Sequence, residues 1–295
     1  MFPNWLSIIL LVLTFTSFIP QFHLLRTRKD ASGISLAYIL LNLIAASEQF
    51  ALNFGFLVLA KPEDGVFVHH PITVGDWLNL SQTTLLWVLF IIYFTLCLTY
   101  HSSATSAHKC LLLGIYITYF LIAILPLFIY AIVLRSSRTE SSDREWLLVL
   151  TFIPHTLILN YIGAIATALA VYAQAKEISQ HDPASVSTST LPAEPSTLPA
   201  LHESLSLLTL AFQSILFTIL GISWIFRVSF PPLPDGAGWR NYYILKIWYE
   251  WVGSIAVDSV IFGIGQGILL YLSLRRCRGE QGGDGERQPL LGSAR

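Results

Sequence analysis

Seven stretches of the chain run for about 20 residues or more with almost no charge, long enough as helices to cross about 30 Å of hydrocarbon. They lie at about 3–25, 34–59, 77–100, 110–134, 146–175, 204–226 and 244–274. Polar punctuation separates them. Lys61 to Gly75 carries Pro62, Gly65 and Pro71, and Phe230 to Gly238 carries Pro231, Pro232 and Pro234 before Asp235 and Gly236. A Ser/Thr/Pro-rich stretch over 179–199 reads as a disordered insertion, and the Gly-rich residues 275–295 read as a disordered tail.

Polar residues inside the spans repeat at a distance. A shift of 153 residues carries Ser7, Thr14 and Gln21 of the first span onto Asn160, Thr167 and Gln174 of the fifth. The sevenfold spacing keeps each trio on one helix face. A shift of 171 carries Ser35 and Asn42 of the second span onto Ser206 and Gln213 of the sixth, the extra residues being the Ser/Pro insertion. Trp77 and Trp251 then correspond at the third and seventh spans. A duplication separated by one spare helix places both copies in the same orientation. The expected fold is an all-α membrane protein of seven transmembrane helices, with two parallel three-helix bundles joined by a connector helix (3+1+3). The units are 1–100 for the first repeat, 101–145 for the connector and its loops, 146–274 for the second repeat, and 275–295 for the tail.

Composition agrees with a bilayer as solvent: charged residues make up 12% and hydrophobic residues 54%, against roughly 25% charged in soluble domains. The 17 Lys and Arg are informative by position. Loops holding Arg26, Arg28, Lys29, Lys109, Lys176 and the basic tail fall on one side. The positive-inside rule makes that side cytosolic, with a lumenal N-terminus and a cytosolic C-terminus. The start, Met1 to Trp5, has no basic leader region, so the first helix reads as retained.

Pro20-Gln21, followed by Lys29, Gly33 and Ser35, resembles the first signature of the PQ-loop proteins. That superfamily includes the lysosomal cystine exporter cystinosin, vacuolar cationic amino-acid exporters and, more distantly, the SWEET sugar carriers. The last span adds Trp251, Gly253, Ser254, Asp258, Gln266 and Tyr271 in the order of the family's last helix. The second motif departs, with Ala173 in place of proline, and Ala37 and Leu208 stand where cystinosin-like loops carry an acid. The resemblance implies a transporter of amino acids, cationic ones preferred, with Asp258 as the protonatable residue. Independently, a proline in a helix removes a hydrogen bond and kinks it, which makes Pro20 a candidate hinge.

Two carboxylates, Glu48 and Asp258, fall deep in apolar spans. A central Asp costs about 2.5–3.5 kcal/mol on insertion scales, so such a residue marks a pathway or a proton site by default. Asp258 shares a face with Trp251 and Ser254. Glu48 lies roughly 100° around its helix from the stripe of Asn42, Gln49 and Asn53, which suits a pairing role as well. The candidate substrate and proton pathway is Gln21, Asn42, Glu48, Gln174, Gln213 and Asp258. No phosphate loop, zinc motif or catalytic triad signature is present, so the sequence points to no enzyme, cofactor, metal or nucleic-acid partner.

The tail residues Glu286, Leu290 and Leu291 resemble the acidic dileucine signal by which clathrin-adaptor-type machinery routes membrane proteins to lysosomes or vacuoles. Two functions follow as expectations. The first is a secondary transporter of a small polar metabolite, proton-coupled, in a vacuolar or lysosomal membrane. The alternative is a non-transporting cargo or sorting receptor of the same seven-helix fold.

Overall fold

The computed structural model describes residues 2–59, 71–102, 104–136, 146, 150–180, 205–227, 246 and 248–285, with backbone alone for 59, 133–136, 251, 252 and 277–285. Seven helices are long and apolar enough to cross a membrane: α1 (Asn4–Arg28), α2 (Leu36–Val58), α3 (Val74–Tyr100), α4 (Ser106–Ile132), α5 (Leu150–Gln180), α6 (Leu207–Arg227) and α7 (Ser254–Arg276). No strand occurs among the described residues.

Local chemistry sets the helix ends. Ser35 accepts from the Tyr38 N–H at the start of α2, Thr105 from His108 at α4, and Ser206 from Thr209 at α6. Each cap satisfies a donor the helix cannot. Thr73 and Asp76 form a reciprocal capping box at α3. Lys29 closes α1 in the left-handed conformation, φ 51°, and its N–H reaches the Leu25 carbonyl. Pro20 sits inside α1, which continues past it to Arg28.

The helices contact one another in the ring order α1, α3, α2, α5, α7, α6 and back to α1. In each half the third helix therefore lies between the other two. The halves meet along α2–α5 and along α6–α1, matching places in the two copies. The first half is packed by aromatic edges, Phe18 against Phe90 and Phe22 against Tyr93. In the second half, α6 and α7 approach backbone to backbone: a Cβ on Gly263 would lie 2.8 Å from the Thr218 nitrogen, and one on Gly221 would lie 2.8 Å from the Ala256 carbonyl oxygen. Small residues are what permit such contact in lipid, where apolar surface alone does not drive helices together.

The connector α4 lies outside the ring against α2. Its Tyr116 hydroxyl accepts from the Trp87 indole at 3.0 Å, and Trp87 stacks on Phe50 at 4.5 Å. Four wide π-helical turns interrupt the regular geometry, at Gly55–Leu59, Phe120–Ile124, His155–Leu159 and Tyr249–Gly253, among the described residues.

Helix continues beyond the membrane span to Gly285. Extending an existing helix costs far less than nucleating one, and the Arg276 guanidinium also donates to the Ile178 carbonyl at 3.3 Å. Most of the 179–199 insertion, the sorting residues Glu286, Leu290 and Leu291, and the Trp251 side chain lie outside the described residues.

Candidate functional site

Each half reaches across to cap the other at the end where α1 and α5 finish. The Gln174 side chain of α5 accepts from the Ser35 N–H at 2.8 Å and donates to the Gly33 carbonyl at 2.9 Å. Its counterpart, Gln21 of α1, accepts from the Ser206 N–H at 2.8 Å. Both glutamines are buried. Either one satisfies an N-terminal helix donor that would otherwise be stranded, and it does so for a helix of the opposite half. The Lys29–Ser35 loop is shaped for this. Asp30 accepts from the backbone and hydroxyl of Ser32, and Ala31 is pinned by the Tyr100 carbonyl and by His101, whose Nδ1 donates to the Ala31 carbonyl at 2.9 Å.

Deeper between the halves lies a small cavity of about 20 Å3, lined on its polar side by Asn42, Gln49, Thr167, Asp258 and Ser259 and on its apolar side by Phe90, Phe217 and Phe262. The rings pack edge to face, 4.6 Å between Phe217 and Phe262 and 5.8 Å between Phe90 and Phe262. Asp258 is the most demanding group there. Its Oδ2 accepts a long 3.4 Å bond from Gln49, while its Oδ1 and the neighbouring Ser254 hydroxyl are buried with no hydrogen-bond partner among the described residues. Unmet buried polar atoms carry the full cost of leaving water. A proton or a positively charged guest at Asp258 would remove most of that cost. Tyr38 and Gln266 add one more bond between halves, 2.8 Å from amide to phenol oxygen.

Residues 2–57 match the PQ-loop repeat family model.

The match takes in α1, the Lys29–Ser35 loop and α2, and supports a PQ-loop affinity for the chain. No curated protein and no solved structure matches it. In the second half, Gln174 and Ser206 repeat the bonding places of Gln21 and Ser35, although Ala173 stands where the first half has Pro20.

The expected pathway residues separate into four groups. Asn42 and Asp258 line the cavity; Gln21 and Gln174 close the loop end; Gln213 is buried on α6 outside the cavity lining. Glu48 belongs to another cluster. Both its carboxylate oxygens face His155 Nδ1, at 2.8 and 2.9 Å, and the Tyr119 hydroxyl donates to Oε2 at 3.0 Å. The far nitrogen of His155 donates to the Ala123 carbonyl at 3.0 Å. His155 and Tyr119 are absent from the sequence reading. The available signal was a histidine directly after Pro154 within an apolar span, and a glutamate turned away from its helix's polar stripe.

Proposed function

We propose that this PQ-loop protein is a secondary transporter that moves a small polar metabolite, unchanged, through the space between its two halves. What supports this most is the small cavity between the halves at Asp258, flanked by glutamines that each bond the opposite half's loop. A cavity of about 20 Å3 has room for about one water and not for a metabolite. Loading therefore requires the halves to part. Parting at the loop end breaks the two glutamine latches, and the lost hydrogen bond at Pro20 gives α1 a place to bend. Asp258 meets either a proton or the cationic group of the substrate, which couples the two.

Amino acids, cationic ones first, are the proposed substrates, and a vacuolar or lysosomal membrane is the proposed location, with a lumenal N-terminus. Glu286, Leu290 and Leu291 would supply the sorting signal to adaptors. The deciding experiment is uptake of labelled arginine, lysine, histidine and cystine into proteoliposomes with an imposed pH gradient. Saturable, gradient-dependent uptake of one of them is the expected result. Absence of flux for every solute would replace the transporter by a cargo or sorting receptor of the same fold.

A further inference from the structure

The Glu48–His155–Tyr119 cluster lies where three elements meet: α2 of the first half, the wide turn His155–Leu159 that opens the regular part of α5 in the second, and the wide turn Phe120–Ile124 of α4. Glu48 and His155 are 2% and 1% exposed. Hydrogen-bond bookkeeping then fixes the protons. The Ala123 carbonyl can only accept, so His155 carries a proton on Nε2. The Tyr119 hydroxyl is already spent as a donor to Glu48. A neutral imidazole with its proton on Nε2 would turn the Nδ1 lone pair on a carboxylate less than 3 Å away. The contact is attractive only if one more proton lies between Nδ1 and the carboxyl group, as imidazolium with carboxylate or as imidazole with carboxylic acid. Both descriptions contain the same atoms and the same total charge.

We propose that Glu48 and His155 form a proton-binding site that holds one proton between carboxylate and imidazole, and that the held proton locks the connector helix to both halves. The site stands on the geometry of the cluster and does not depend on transport. Loss of that proton leaves a buried carboxylate facing a lone pair, which the pair relieves by separating. Separation withdraws His155 from Ala123 and Glu48 from Tyr119, the two bonds that tie α4 inward at this level.

The groups around the pair from each packed element are few. On α2 stand Ser47 and Gln49; on α4, Tyr116, held by Ser47 and Trp87. On α5, Thr156 donates to its own helix. From α7, Asp258 approaches across Gly163, where a Cβ would lie 3.6 Å from its Oδ2 and 4.0 Å from the Glu48 Cβ. Glu250, from the turn before α7, is engaged by Tyr161 and Lys246. None of these supplies a cation to replace the shared proton. Histidine is the side chain suited to gaining or losing a proton near neutrality.

The test is backbone hydrogen exchange of residues 119–125 in lipid nanodiscs at about pH 5.5 and about pH 8.5, corrected for intrinsic exchange, on the wild type and on Glu48→Gln/His155→Gln. The expected result is protection falling by about tenfold or more at the higher pH in the wild type, and pH-independent protection in the double variant, whose amides bond without titrating. Constant wild-type protection, or the same fall in the double variant, overturns the proposal. Should the variant fail to fold, solid-state NMR of wild-type protein with 15N-imidazole and 13C-carboxyl labels decides. The shared proton, on the histidine Nδ1 or on the Glu carboxyl group coupled to it, should be present at the lower pH and absent at the higher. Nδ1 and carboxyl signals both unchanged between them overturn the assignment.

Discussion

The two seams between the halves, α2–α5 and α6–α1, occupy matching places in the ring and end in matching glutamine latches, yet their middles are chemically opposite. Along α2–α5 the seam holds the Glu48–His155 pair and its tyrosine. The place of Glu48 in the second copy is Ile219, which is 51% exposed. The connector helix explains the difference. It covers the first half where the second half faces lipid, so an acid is sheltered and bonded at 48 and an apolar residue is required at 219. The two halves share a framework; the single unpaired helix makes one seam a polar site.

Placing an acid on the uncovered seam is the sharpest way to break this contrast. Ile219→Asp gives up the isoleucine and inserts a carboxylate facing lipid, at about 3–4 kcal/mol together on insertion scales. The yield of folded protein recovered from membranes should collapse, whereas Glu48→Gln should be recovered nearly as the wild type is. Equal recovery of Ile219→Asp and wild type would show that α4 is not what permits Glu48.

Next in size is the cavity, where the seams converge. Asp258→Asn keeps shape and removes the charge, so it should fold but lose the coupling between pH gradient and uptake, a change of about 5–150-fold in gradient-driven accumulation. Accumulation retained with its full pH dependence would remove Asp258 from the proton role.

The seven spans and their matched polar positions were legible because lipid leaves few options: apolar runs must be helical, and Ser7, Thr14 and Gln21 with Asn160, Thr167 and Gln174 are polar exceptions that stand out against leucine and isoleucine. All six are buried. Asp258 was legible for the same reason of cost. What the chain did not disclose was partnership. Glu48 meets His155 across a sequence separation of 107, and the wide turns that aim the imidazole and the Ala123 carbonyl have no signature in hydropathy. The latches were half legible: repetition singled out both glutamines, but their bonds run to backbone atoms, which no residue pattern displays.

A smaller effect tests whether the latches are equivalent. Each glutamine-to-backbone bond is worth about 1 kcal/mol. Gln21→Ala should speed exchange of the Ser206 amide and Gln174→Ala that of the Ser35 amide, by about fivefold each, with each change appearing in the half that was not altered. Acceleration confined to the altered half would break the symmetry.

The claim that two reciprocal glutamines hold the halves closed around Asp258 is tested most directly by a distance between the halves at the latch end. Thr27 and Ser179 are exposed at the ends of α1 and α5, and spin labels placed there, with Cys110 and Cys277 replaced by serine, report it by pulsed electron resonance in bilayers. The account predicts one dominant distance in the otherwise native chain and a second, longer population in Gln21→Ala/Gln174→Ala. Identical distance distributions in the two proteins would contradict it.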